Sequence, residues 1–143
     1  MNPTAPKALL VEMPIEIHGY DIDVLQIVSN IVYVRWFEDL RHRLLDVYYP
    51  IQDLLRENLS PVLAETQVEY KYPLTIFDKV IGRVWISDLT RARWTCSFEI
   101  VTAERLHCRG RQSGYFFDVE RKRPAPIPEK LQALFAQENG GIR

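Results

Sequence analysis

The sequence predicts an α+β domain in which one antiparallel, five-stranded sheet wraps around a single long central helix. Two observations carry this. One stretch, between residues 30 and 49, repeats its apolar side chains at helical spacing, and five other segments alternate apolar and polar residues at the period of a strand. Neither a one-faced sheet nor a one-striped helix buries its apolar side alone, so each is expected to cover the other.

Residues 1–13 mix Pro3 and Pro6 with small side chains and hold no sustained period, so a flexible N-terminal arm is expected there. From Pro14, Ile15 and Ile17 alternate with Glu16 and His18, as in a half-buried strand that Gly19 ends. After an irregular stretch, Tyr33, Phe37, Leu40, Leu44 and Val47 form an apolar stripe widened by Val34 and Trp36, with Arg35, Asp39, Arg43 and Asp46 opposite. Ser29 or Asn30 supplies the cap of this helix and Pro50 its stop. A shorter helical piece follows over Ile51 to Glu57.

Strands then dominate. Between Val62 and Tyr72, Ala64, Thr66, Val68 and Tyr70 face one way and Glu65, Gln67, Glu69 and Lys71 the other. Lys79 to Ser87, Ala92 to Ile100 and Leu106 to Val119 read as antiparallel neighbours, the last two joined by a short turn around Glu104. That turn sets Cys96 opposite a residue near Ser113 and several residues from Cys108, which excludes a disulfide. Glu129 to Gln137 reads as a small terminal helix entered through Pro128. The expected organisation is therefore an arm (1–13), one domain (14–138) and a loose tail (139–143).

Composition narrows the function. With 18 basic and 19 acidic side chains in 143 residues the formal charge is −1, which gives no support to a nucleic-acid or membrane-surface role. No apolar run approaches the roughly 20 residues that span a bilayer, and Met1 to Lys7 lacks a basic segment followed by an apolar one. A cytoplasmic setting, with both thiols reduced, is expected. The sequence has no Gly-x-Ser-x-Gly and no glycine-rich phosphate loop. His18, Asp21 and Asp23 offer metal-ligand atoms in a short span, but strand alternation separates His18 from the rest and no second histidine cluster exists, so no metal is expected.

Tyr20-Asp21-Ile22-Asp23, followed by Val28, Asn30 and Tyr33, resembles the 4-hydroxybenzoyl-CoA thioesterase family of acyl-CoA thioesterases. The family pattern is Asp-Thr-Asp, two free positions, Gly-His-Val-Asn-Asn, two free positions, Tyr. The resemblance continues through Trp36-Phe37 and Arg41, Tyr72-Pro73 with Asp78, and Pro124 to Pro128, covering about Pro14 to Leu131. It implies the hotdog fold and hydrolysis of an acyl-CoA or acyl-carrier-protein thioester to the free acid, with no cofactor. It also implies a homo-oligomer, a dimer or a tetramer, with sites at the subunit interface.

By the same resemblance, Asp23 matches the carboxylate that attacks the carbonyl or activates water. The backbone N–H of Asn30 or its neighbour, at the positive end of the helix, matches the oxyanion donor. Gln26, Ser29 and Tyr33 border the expected substrate site. Where the family has Gly-His-Val-Asn-Asn this chain has Gln26-Ile27-Val28-Ser29-Asn30, losing the glycine, the histidine and the first asparagine. That departure keeps a non-catalytic acyl-thioester-binding or scaffold protein as the alternative. From residue type alone, Asp21 is expected to brace its loop, and Glu38 to pair with Arg41 or His42. Arg91, Arg93, Arg109 and Arg111 fall on two strands expected to be neighbours. They read either as a docking surface for coenzyme A phosphates or an acidic carrier protein, or as a solvated sheet edge.

Overall fold

The computed structural model describes residues 6–139. The chain runs β1 (Ala8–Ile15), α1 (Asn30–Tyr48), α2 (Ile51–Arg56), β2 (Leu59–Tyr70), β3 (Val80–Leu89), β4 (Trp94–Val101), β5 (Leu106–Asp118), β6 (Arg123–Ala125) and α3 (Glu129–Glu138). The strands form one antiparallel sheet in the order β1-β3-β4-β5-β2, with the three-residue β6 also paired to β5.

Helix α1 lies in the curl of this sheet. Its stripe of Val32, Tyr33, Trp36, Phe37, Leu40 and Leu44 is buried, each side chain contributing roughly 1.5–3 kcal/mol relative to exposure. Two glycines let the helix come close. A Cβ on Gly110 of β5 would stand 2.3 Å from the Phe37 ring, and one on Gly82 of β3 2.9 Å from Leu40. Phe37 therefore reaches through to stack on Phe98 of β4 at 4.5 Å between ring centroids.

The first strand differs from the sequence reading. It begins at Ala8, inside the stretch expected to be an arm, and ends at Ile15, so Ile17 and His18 lie outside it. Ala8, Leu9, Val11 and Ile15 are buried, but the pairing with β3 slips between Ala8 and Val11 and Leu9 takes a positive φ of 56°. A bulge of this kind breaks the two-residue alternation by which a strand is recognised. Residues 1–5 and 140–143, the outer parts of the expected arm and tail, lie outside the described residues.

Strand β2 starts three residues earlier than expected and also slips register, between Leu63 and Glu65. Strand β6 has no counterpart in the sequence reading, since its central Pro124 cannot donate to a ladder; it pairs only at the far end of β5. Cys96 sits opposite Gln112, one residue from the expected partner, and both cysteines are free and buried.

Candidate active site

The segment between β1 and α1 is folded by its own short-range bonds. His18 leads into a 3-10 turn, Gly19–Asp21, and the buried Asp21 carboxylate accepts the His18 N–H at 2.9 Å. The Asp21 carbonyl in turn accepts the N–H of Ser29 at 2.9 Å. Asp21 thus braces the loop against the start of the helix, the role its residue type predicts. The His18 ring stacks on Tyr20, with Nδ1 3.6 Å from Asp21 and Nε2 3.7 Å from Glu16.

Asp23 opens a tight hairpin. Its N–H donates to Ile27 at 2.9 Å, its carbonyl accepts from Gln26 at 3.0 Å, and Ile22 and Val28 form a bridge at the base. One carboxylate oxygen of Asp23, Oδ1, accepts the Leu25 N–H at 2.8 Å, as a turn-forming Asp does. Gln26 adopts φ 67°, a left-handed conformation that glycine adopts freely and that costs an L-residue about 1–2 kcal/mol. The glycine missing from the motif is thus replaced by a residue held in a conformation that favours glycine.

At the helix start, Ser29 occupies the cap position, but its hydroxyl makes no capping bond; besides the N–H given to Asp21, its carbonyl accepts from Val32 at 3.0 Å. Among the described residues, the N–H groups of Asn30 and Ile31 meet no acceptor, leaving the positive end of a 19-residue helix open. The carbonyl of Asn30 accepts the Tyr70 hydroxyl at 2.8 Å, and Val28 donates to Leu74 at 2.8 Å. These two bonds set the end of β2 and the loop after it beside the helix tip. Tyr33 is buried there, edge-on to Trp36 and Tyr70 at 5.2 and 5.3 Å, and burial pushes its hydroxyl well above the ordinary tyrosine range. Val24, Leu25, Ile31 and Phe77 around this tip are exposed, Val24 by 96% and Phe77 by 89%.

Asp23, Gln26, Ser29, Asn30 and Tyr33 therefore share one end of the fold, but Arg91 and Arg93 do not. Register places the helix tip at the Tyr70–Cys108–Ile100 end of the sheet, whereas Arg93 precedes Trp94 at the opposite end of β4. Seven residues of strand, roughly 23 Å, separate those ends. Arg93 is engaged there, donating to Ser113 at 2.9 Å and standing 3.7 Å from Glu65. Arg91 lies in the β3–β4 turn instead of a strand, and its carbonyl accepts from Ile127.

Sequence reasoning passed over a buried polar chain between helix and sheet. Arg41 donates to Gln112, Gln112 donates to Thr66 at 3.2 Å, and Glu38 lies 3.6 Å from Arg41. A glutamine on the inward face of an amphipathic strand was its available signal. The two thiols add no nucleophile: burial pushes Cys96 and Cys108 up to about 12.

A curled antiparallel sheet wrapped around one long helix is the architecture of hotdog-fold thioesterases. The chain belongs to the thioesterase-like superfamily, whose family model matches residues 17–135. Among solved structures, a gentisyl-coenzyme A thioesterase superposes with a TM-score of 0.76 at 20% identity, over 88% of this chain and 99% of that one. A DHNA-CoA thioesterase from Staphylococcus aureus gives 0.81 at 18% identity, over 94% and 96%. A thioesterase from Thermus thermophilus, solved with coenzyme A and zinc, gives 0.77 at 22% identity, again over 94% and 96%. At these identities the likeness is one of fold. Among curated proteins none matches the chain. No helix of the described residues is long and apolar enough to cross a membrane.

Proposed function

We propose that this chain hydrolyses an acyl thioester, of coenzyme A or of an acyl carrier protein, to the free carboxylic acid. The observation that carries the reading is the open tip of α1, with unaccepted N–H groups at Asn30 and Ile31, tied through the Ile22–Val28 bridge to the turn that bears Asp23. A thioester carbonyl at that tip directs its oxygen at the N–H of Asn30 or Ile31. Loss of one such donor typically costs about 2.7–4 kcal/mol of transition-state stabilisation. Asp23 either takes a proton from water as the water attacks the carbonyl, or attacks it directly to form a mixed anhydride that water hydrolyses after the thiolate has left, returning the free acid and the Asp23 carboxylate. The C–S bond then breaks, and the thiolate leaves and is protonated. The bond from Leu25 fixes one carboxylate oxygen of Asp23 and orients the group for that role. Gln26, Ser29 and Tyr33 line the approach.

In this reading two copies pair through β2, which ends the sheet with a free edge. Antiparallel pairing about a two-fold axis carries the far end of one sheet to the near end of the other, the route by which Arg91 and Arg93 reach a substrate. A sizing measurement distinguishes this dimer from a tetramer built of two. Two free thiols suit a cytoplasmic setting.

A second reading, a non-catalytic acyl-thioester-binding protein, draws on the commitment of the Asp23 carboxylate to its own turn. Thiol release from a panel of aliphatic, aromatic and carrier-linked thioesters, measured for the parent and Asp23→Asn, separates the two. Hydrolysis that falls by roughly 10²–10⁴-fold in the variant supports the first reading. Binding without release in the parent supports the second.

A further inference from the structure

The proposed reaction uses the open N–H groups of Asn30 and Ile31, and one side chain of the sheet bears directly on them. Tyr70, the last residue of β2, donates its hydroxyl to the Asn30 carbonyl at 2.8 Å. Asn30 is the first residue of α1, and in a helix its carbonyl also accepts the N–H four residues on. What a helix start leaves unsatisfied is N–H, not C=O. The Tyr70 bond therefore answers no unmet need of the helix, and the ring itself is half exposed, where water would serve its hydroxyl equally well.

The consequence lies in the peptide group that the hydroxyl touches. The Asn30 carbonyl and the Ile31 N–H belong to one planar amide, and in a trans peptide they point in opposite directions. A donor on the oxygen draws electron density from the nitrogen, so the N–H becomes a stronger donor in its turn. The Tyr70 hydroxyl, the Asn30–Ile31 peptide and a thioester carbonyl at the helix tip then form one chain of hydrogen bonds, each strengthening the next.

A fixed scaffold delivers the hydroxyl. Tyr70 pairs with Cys108 at the end of the β2–β5 ladder. His107, which is 6% exposed, clamps the chain just beyond it. The His107 carbonyl accepts the N–H groups of Lys71 and Tyr72 at 2.9 and 3.1 Å, its ring Nδ1 faces the carbonyls of Tyr72 and Pro73 at 3.2 Å, and its Nε2 lies 2.9 Å from the Thr102 hydroxyl. From the helix side the buried Tyr33 ring packs edge-on to Tyr70 at 5.3 Å. Burial pushes the Tyr70 pKa above the ordinary tyrosine range, so the hydroxyl keeps its proton and donates.

We propose that Tyr70 is a positioning residue for the hydrolysis, holding the Asn30–Ile31 peptide in place and strengthening the Ile31 N–H toward the thioester carbonyl. The inference rests on the proposed thioester hydrolysis and deepens it, because it makes the strength of the donor at the helix tip depend on a side chain of the sheet as well as on the helix.

Two variants separate the hydroxyl from the ring. Tyr70→Phe removes the hydroxyl and keeps the ring against Tyr33, and Tyr70→Leu removes both. Steady-state thiol release is measured for the parent and each variant. Infrared difference spectra are recorded for each with the ketone analogues of acetyl-, decanoyl- and benzoyl-CoA, isotopically labelled at the carbonyl carbon, in which a methylene replaces the sulfur. These analogues cannot be hydrolysed, so the spectrum reads the helix tip independently of turnover. Tyr70→Phe is expected to lower kcat by roughly tenfold with KM little changed, against the roughly 10²–10³-fold that loss of a whole oxyanion donor costs. The carbonyl stretch of the bound analogue is expected to lie below its value in water in the parent and to move back toward that value in Tyr70→Phe. Equal kcat and equal carbonyl frequencies in the parent and Tyr70→Phe would overturn the inference. So would a fall confined to Tyr70→Leu, which would mark the ring as packing, a fall in kcat without any change in carbonyl frequency, or a parent that binds none of the three analogues. If the carbonyl frequency moves in Tyr70→Phe but no thioester is hydrolysed by the parent, the role of Tyr70 at the tip stands and the hydrolytic reading falls.

Discussion

The two ends of α1 meet the sheet in opposite ways. Along its C-terminal half the polar groups buried against the sheet bond to one another. The Arg41 guanidinium lies 5.7 Å from the Trp94 ring and donates to Gln112, which is 1% exposed and passes its own donor on to Thr66. Trp94 donates from its indole nitrogen to the carbonyl of Tyr115 at 3.1 Å. Burial lowers the Arg41 pKa, with the nearby Cys96 and Glu38 opposing that shift, yet the group stays a cation. At the N-terminal end the N–H groups of Asn30 and Ile31 meet no acceptor among the described residues, Gln26 is held at positive φ and large apolar side chains face outward. The contrast separates the end built for stability from the end where the proposed reaction sets its substrate. Satisfied buried polar groups rigidify a core, whereas exposed donors at a helix tip are met by water and stay available to a ligand.

That division can be broken from either side. The largest effect is expected from Trp94→Ala, which empties a buried site at the closed end. It should lower unfolding free energy by about 3–5 kcal/mol in denaturant titration while leaving the turnover of the folded fraction near that of the parent. Gln112→Ala leaves the Arg41 guanidinium without its buried partner and is expected to cost about 1–3 kcal/mol by the same measurement, again with little change in turnover. At the open end, Gln26→Gly relieves the left-handed strain but frees the unfolded chain. The two nearly cancel, and a stability change within about 1 kcal/mol is expected in a thermal melt. A measurable rise or fall in kcat/KM for that variant would show that the Gln26 side chain itself touches the substrate.

Much of this architecture was legible because its main signals are periodic. The stripe on α1, the alternation in β3 to β5 and the turn near Glu104 each follow from side-chain spacing, and the structure places Cys96 within one residue of the expected partner. What stayed hidden was local irregularity. A bulge at Leu9 masks β1, and a proline masks β6. At the site, the chain neighbours Asp23 to Tyr33 come together because short-range bonds fold that segment. Arg91 and Arg93 do not join them, because register sets these two at the far end of the sheet, a relation that pairing of strands alone reveals. The His107 clamp and the Arg41–Gln112–Thr66 chain join residues distant in sequence, and no spacing rule reports them.

The central claim is that a carboxylate on the turn at residue 23 works with the open tip of α1 to cleave a thioester. Single-turnover thiol release by the parent and Asp23→Asn, at matched fold stability and saturating acyl-CoA, tests it most directly. The account predicts cleavage in the parent and a loss of roughly 10²-fold or more in the variant, with substrate still bound. Equal rates in the two proteins would contradict it.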